Sequence, residues 1–395
     1  MTVDVRVAGV GMVPFAKPSA GEQYDDMGER AVRAALADAG VGLDEVQTAF
    51  ASYVYGDSTA GQAALYRVGL TGVPLVNVNN NCASGSSALW LARQAVASGA
   101  VEVALAFGFE QMQRGALAEL WTDRRGPLGR FEDRRSELQG TAEGVPMAAQ
   151  FFGGAGQAYM DEYGISPDTF GRIAVKARAH AANNPNAVFR TPLTLDEVMS
   201  SPHIYGPLTR LQCCPPTSGA AAVVLVSAEF ARRRDLPAGV RIAGQAMTTD
   251  KPSTFTGDMR ALVGFDIARS AAQQAYAQAS LGPEDIQVVE LHDCFTANEL
   301  LAYEALQLTP DGTAEKFILD GDNTYGGRVV TNPSGGLLSK GHPLGATGLA
   351  QCAELTWQLR GTAGARQVPG ARAGLQHNLG LGSACVVTVY EAVQS

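Results

Sequence analysis

Hydrophobic and polar positions along the chain alternate between two periodicities. Short apolar runs at 5–10, 48–54, 74–78, 101–107 and 220–226 read as strands. Residues 24–39 and 83–98 instead repeat apolar positions at helical spacing; in the first, Met27, Ala31, Ala34, Ala35 and Leu36 share one face. The run 101–107 is apolar apart from Glu102, the pattern of a strand buried on both faces. Strands alternating with helices predict a largely parallel sheet covered by helices. The second half repeats this plan. A polar connection at 231–235 leads to a strand at 240–245, an alanine-rich helix at 267–279 and a strand at 288–291. Leu281-Gly282-Pro283-Glu284-Asp285-Ile286 matches Gly42-Leu43-Asp44-Glu45-Val46 as an acidic turn between helix and strand. Cys82 and His342 each stand where a loop enters a helix, and each is followed by a strand, at 101–107 and 373–379. The parallel predicts an internal duplication. Composition changes after Gln113, so 113–206 reads as an inserted, mostly helical cap or loop region. The halves are then 1–112 with 207–234, and 235–395.

Composition narrows the class. With 46% hydrophobic and 17% charged residues the chain is globular. Thirty basic residues against 39 acidic ones give −9, and no basic run breaks that balance, which excludes a nucleic-acid partner. No apolar run reaches the ~18 residues of a membrane span, and Met1–Arg6 lacks the basic and apolar regions of a signal peptide. The six cysteines, at 82, 213, 214, 294, 352 and 385, form no C-x-x-C pair and have no histidine at zinc spacing. They predict neither a disulfide framework nor a metal site. The default address is cytoplasmic, and 25 Arg against 5 Lys suggests a bacterial source. Val393-Gln394-Ser395 is not a peroxisomal Ser-Lys-Leu address.

Four clusters carry candidate chemistry. Asn79-Asn80-Asn81-Cys82-Ala83-Ser84-Gly85 puts a cysteine at a strand-to-helix turn, where unpaired N–H groups and the helix dipole favour thiolate; a packed thiol beside an N-cap is the other reading. Gly341-His342-Pro343-Leu344-Gly345-Ala346-Thr347-Gly348 puts a histidine at a helix start, where the dipole keeps it neutral as a base requires, or where it merely caps. His292-Asp293-Cys294-Phe295 ends a buried strand, the place where α/β proteins put chemistry. Gln376-His377-Asn378-Leu379-Gly380-Leu381-Gly382 either presents backbone N–H groups to an oxyanion or forms a tight hairpin.

Taken in order, with Leu211-Gln212-Cys213-Cys214-Pro215 and Gly321-Asp322-Asn323-Thr324-Tyr325-Gly326-Gly327, these clusters resemble the thiolase superfamily, and within it the sterol carrier protein X branch. The resemblance covers nearly the whole chain and fades around 113–145. It implies an α/β thiolase fold: two duplicated βαβαβαββ halves in a five-layered αβαβα sandwich with an inserted loop domain. It also implies that Cys82 carries the acyl group, that His342 activates its thiol, and that His292 polarises the substrate oxygen. Most thiolases have Asn-Glu-Ala-Phe where this chain has His292-Asp293-Cys294-Phe295, and a late Cys-x-Gly where it has Asn378-Leu379-Gly380. Cys294 therefore stands in as the acid/base, while Cys385 belongs to the core. The second oxyanion hole would use the N–H groups of Cys82 and Gly380.

The implied activity is CoA-dependent thiolytic cleavage of 3-ketoacyl-CoA, as in β-oxidation, or the reverse Claisen condensation. Coenzyme A is then a substrate, with no permanent cofactor and no metal, and the protein a homodimer with 75–87 near the interface. Three alternatives stand beside it. One is a retro-aldolase acting on CoA esters with a small partner protein, and another a condensing enzyme built on one cysteine and two histidines. The third is a non-catalytic acyl-CoA or lipid-binding protein, although the lipid-carrier domain that follows this thiolase in animal relatives is not expected here.

Overall fold

Ten strands build the sheet that carries the candidate residues. The computed structural model describes residues 3–113, 121 and 123–393; the readings that rest on Met1, Thr2, Gln394 and Ser395 lie outside them. The first-half strands are β1 (Val5–Met12), β2 (Thr48–Ser52), β3 (Leu75–Val78) and β4 (Val103–Glu110). After a small separate hairpin, β5 (His203–Tyr205) and β6 (Leu208–Thr209), come β7 (Gly219–Ser227), β8 (Val240–Thr248), β9 (Val288–Glu290), β10 (Val330–Thr331), β11 (Ala373–Gly380) and β12 (Ala384–Ala392).

The spatial order is β10-β9-β11-β12-β8-β1-β7-β4-β2-β3. Matched from the outside inwards, β3-β2-β4-β7-β1 and β10-β9-β11-β12-β8 are the same arrangement, each made of the third, second, fourth, fifth and first strands of its half. They meet where β1 pairs β8 through Arg6↔Arg241 and Val7↔Val240. This is the duplication that the repeated pattern predicts.

Three apolar clusters separate the layers. Helices Tyr24–Ala39 and Ala60–Val68 pack on one outer face. Helices Ser84–Ala97 and Leu344–Arg360 fill the middle, and Phe265–Ala279 and Thr296–Ala305 cover the other side. The middle pair touches backbone to backbone. A Cβ on Gly85 would lie 2.9 Å from Gly345 O, and one on Gly348 2.4 Å from Ser86 N. Only glycine permits this approach, and it sets the starts of the two helices side by side. Between β4 and β7 lie helices Gly129–Gln139, Met147–Tyr163, Asp168–Ala181 and Leu195–Met199.

Three expectations are corrected. The sheet is mixed: β2 runs parallel to β3 and β4, and β9 to β10 and β11, but the pairs along its centre are antiparallel. Continuous apolar runs report burial on both faces, which covering helices impose on either strand direction. The polar connection at 231–235 belongs to helix Ala228–Arg234, whose start is capped by Ser227 accepting from Phe230 N at 3.1 Å. β12, which the pattern did not pick out, closes a hairpin with β11. No helix among the described residues is long and apolar enough to cross a membrane.

Candidate active site

The Cys82 turn is made by asparagines and serines. Asn81 takes the left-handed conformation (φ +50°), which asparagine tolerates better than most residues. Ser84 Oγ accepts from Asn80 N at 2.8 Å and donates to Asn81 O at 2.6 Å. Cys82, half-buried, thus projects from a fixed bend just before helix Ser84–Ala97. The expected thiolate is corrected here. Burial, and after it the charge of Glu110, push the Cys82 thiol up to about 12. Desolvation outweighs the helix dipole, so the resting group is a thiol that needs a base.

A buried imidazole with a free nitrogen lies beside it. His342 Nδ1 lies 2.7 Å from Thr347 Oγ1, and the Thr347 hydroxyl donates to Pro343 O at 2.9 Å. Its single proton is then committed, so it accepts from His342 Nδ1–H. His342 Nε2 is left as a bare acceptor, buried with no hydrogen-bond partner. The ring is neutral as expected, but burial rather than the dipole holds it down at about 3. His292 has the opposite tautomer. Asn378 Nδ2 donates to its Nδ1 at 3.1 Å, leaving the proton on Nε2; burial first, then His342 and His377, push it well below the usual histidine range. The two rings meet edge to face, centroids 5.1 Å apart at 84°. Cys82 Sγ and one ring nitrogen of each histidine lie within 4.8 Å of one another. The thiol therefore sits beside two imidazoles that carry their protons on opposite nitrogens.

Two further expected residues flank this group. Cys294 is buried, its carbonyl accepting from Cys214 N at 2.9 Å. Burial pushes its thiol well up, with smaller contributions from nearby Cys214, Cys82 and Asp293. Gly380 ends β11, where a Cβ would lie 2.4 Å from Asn80 O and 3.0 Å from Ala83 N. Residues 376–382 thus run into the tight hairpin, and its glycine lets that hairpin press against the Cys82 turn. Ser383 Oγ donates to Asn80 O at 2.7 Å, and Asn81 Nδ2 to Leu381 O at 3.2 Å. Cys352 and Cys385 are fully buried in apolar clusters.

Sequence reasoning passed over the acidic supports. Glu110, at the end of β4, accepts from Val54 N, Tyr55 N and Gly345 N at 3.1, 2.8 and 2.9 Å. Burial nevertheless raises its carboxyl to about 7. Asp293 accepts from Leu337 N and Leu338 N at 2.7 and 3.3 Å. Glu290 pairs with Lys340 at 3.2 Å and takes two further bonds from Ser334, at 3.1 and 2.7 Å. The available signal was a lone acidic residue closing an apolar run.

The sequence and the fold match known proteins. A family profile described as "Thiolase, N-terminal domain" matches residues 5–229, and "Thiolase C-terminal domain-like" matches 249–392. The chain belongs to the thiolase family. Sterol carrier protein 2 of Oryctolagus cuniculus is 52% identical over 392 residues, 98% of this chain and 72% of that protein; its Gallus gallus counterpart is 51% identical, over 98% and 71%. Among solved structures, "Ltp2-ChsH2(DUF35) aldolase" superposes with a TM-score of 0.81 at 29% identity, covering 99% of this chain and 98% of that one. Human mitochondrial 3-ketoacyl-CoA thiolase in complex with CoA shares the fold at a TM-score of 0.72 and 19% identity, covering 99% and 98%. Thiolase membership supports acyltransferase activity in general. The expected bacterial, cytoplasmic origin is corrected, because the relatives at 50–52% identity are vertebrate proteins. Arginine and lysine supply the same charge, and the choice between them carries no address.

Proposed function

We propose that this thiolase-family protein cleaves 3-ketoacyl-CoA with coenzyme A through an acyl-Cys82 intermediate, and can run the reverse condensation. The observation that carries the reading is the meeting of Cys82 Sγ with two oppositely protonated histidines within 4.8 Å. His342 Nε2 takes the thiol proton as Sγ attacks the keto carbon. The Cys82 and Gly380 N–H groups hold the oxyanion that forms. When the C2–C3 bond breaks, His292 Nε2–H stabilises the enolate oxygen of the departing thioester and Cys294 gives a proton to its carbon. In the second half, Cys294 accepts the proton of the incoming CoA thiol, which attacks the acyl group; the C–S bond to Cys82 breaks, and its sulfur takes back the proton held by His342 Nε2. Coenzyme A is thus a substrate.

A homodimer through the β3 edge belongs to the same proposal. β3 is the last strand on its side of the sheet, and Val76 on it is 52% exposed, with Tyr66 and Leu70 also exposed nearby. An uncovered apolar edge of this kind invites pairing. Sedimentation at micromolar concentration, for the wild type and Val76→Lys, tests it.

The 29% identity to the "Ltp2-ChsH2(DUF35) aldolase" structure favours a second reading, retro-aldol cleavage of a CoA ester with a partner protein. Product analysis with a 3-ketoacyl-CoA separates the two. Thiolysis requires free CoA and yields two CoA thioesters, whereas retro-aldol cleavage of a 3-hydroxy ester proceeds without CoA and releases a carbonyl compound.

A further inference from the structure

We infer that Cys82, His292 and His342 form a reversible inhibitory site for a zinc-class divalent cation. This goes beyond the thiolytic reading: binding of the ion does not depend on it, while the inhibition rests on Cys82 being the nucleophile. Sequence spacing has no bearing on such a site, because its ligands come from three distant positions that only the fold unites.

The donor set is one sulfur and two imidazole nitrogens, which suits zinc. Around a tetrahedral ion with Zn–S of about 2.3 Å and Zn–N of about 2.0 Å, donors stand roughly 3.3–3.6 Å apart. The three atoms already lie within 4.8 Å of one another. Rotation of half-buried Cys82 about χ1, with small turns of the rings, supplies the rest. A water completes the shell.

The surroundings are also those of a ligand set. Metal-bound histidines usually donate their second N–H to a fixed acceptor. His342 does so already, through Nδ1–H to Thr347, and its Nε2 is buried and unpartnered. His292 must exchange tautomers, moving its proton from Nε2 to Nδ1. Asn378 is equipped for that exchange, since its Oδ1 is buried with no hydrogen-bond partner. Turning the amide over gives Nδ1–H an acceptor and satisfies Oδ1 at once. Binding breaks the Cys82 S–H bond, forms an S–Zn bond and releases one proton to solvent; zinc stays +2 and nothing is oxidised. The nucleophile and both imidazole nitrogens are then engaged together, so the ion inhibits.

The test is cobalt and zinc titration of the purified protein. One equivalent of Co²⁺ should produce a thiolate-to-cobalt charge-transfer band and visible bands of tetrahedral intensity, and Zn²⁺ should abolish both. Cys82→Ser should lose the charge-transfer band, Cys294→Ala should keep it, and His292→Ala should weaken binding at least tenfold. Asn378→Asp, a stronger acceptor for Nδ1–H, should tighten it. A measurement without variants complements these. Zinc should slow iodoacetamide labelling of wild-type Cys82 at least tenfold, with recovery on adding a chelator. Unchanged labelling at saturating zinc, or a charge-transfer band that survives Cys82→Ser, would overturn the inference. Neither readout involves thiolysis, so a failed thiolase reading would leave the result intact.

Discussion

Glu290 and Lys340 form a buried ion pair, 3.2 Å apart with their side chains 0% and 1% exposed, and each lies two residues upstream of a histidine beside Cys82. The pair ties the segment leading to His292 to the segment leading to His342. Removing one partner strands a buried charge, so Glu290→Gln or Lys340→Met should cost about 3–5 kcal/mol of stability. The double replacement Glu290→Met with Lys340→Met should regain much of it while leaving the histidines untethered. Denaturant melts and steady-state kinetics should then show near-normal stability with kcat reduced more than KM is changed. A double variant with normal kcat would show that the pair does not position the histidines.

Glu110 gives the site a pH dependence of its own. Its folded pKa, about 7, exceeds the ordinary 4.5 because burial disfavours the carboxylate. The stabilising effect of the neutral form is therefore complete below about pH 4.5 and lost as pH rises through 7, by roughly 3 kcal/mol at most. Glu110→Gln should flatten stability over that window, measured by urea melts from pH 4.5 to 8. It should also speed iodoacetamide labelling of Cys82 above pH 7, because the Glu110 charge raises that thiol's pKa. Labelling rates identical to wild type at pH 8 would remove Glu110 from the electrostatics of the site.

Thr347 fixes which nitrogen of His342 is free to act as the proposed base. Thr347→Val removes the acceptor for Nδ1–H and leaves a buried donor unpaired, worth about 1–3 kcal/mol. Cys82 acylation should slow roughly ten- to a hundredfold, and Thr347→Ser should restore it. Equal rates for the Val and Ser variants in single-turnover experiments would contradict the assignment.

How much of this was legible in the sequence depends on what kind of signal each feature leaves. The helix Tyr24–Ala39 was readable to the residue, because an apolar stripe ends at Gly40 with φ +67°. Strand direction was not readable, since β4 and β7 are equally apolar whether parallel or antiparallel. Helix Ala228–Arg234 was hidden by its three arginines, although Ser227 was a visible cap. Cys82, His292, His342, Cys294 and Gly380 were all singled out, because each lies in a cluster at the end of an element and the ordered clusters resemble the thiolase superfamily. Their protonation was not, because it depends on desolvation and on partners such as Thr347 and Asn378 that only the fold brings near. Glu110, Glu290 and Asp293 escaped for the same reason: a carboxylate at the end of an apolar run looks solvated until both neighbouring segments are in place.

Cys294→Ala separates acid/base help from nucleophilic attack. Cys82 and His342 remain, so the acyl-enzyme should still form, while overall thiolysis should fall about 10²–10⁴-fold. Turnover within threefold of wild type, in a protein with an unchanged melting temperature, would assign Cys294 to packing and shift attention to His292.

The central claim is that Cys82 carries the acyl group. Incubating the protein with a 3-ketoacyl-CoA, quenching in acid and mapping peptides by mass spectrometry tests it directly. The expected result is one acyl mass on the peptide containing Cys82, its loss on adding free CoA with the matching acyl-CoA as product, and none of this in Cys82→Ala. An acyl group on Cys213, Cys294 or no cysteine at all, with CoA-dependent cleavage still proceeding, would contradict it.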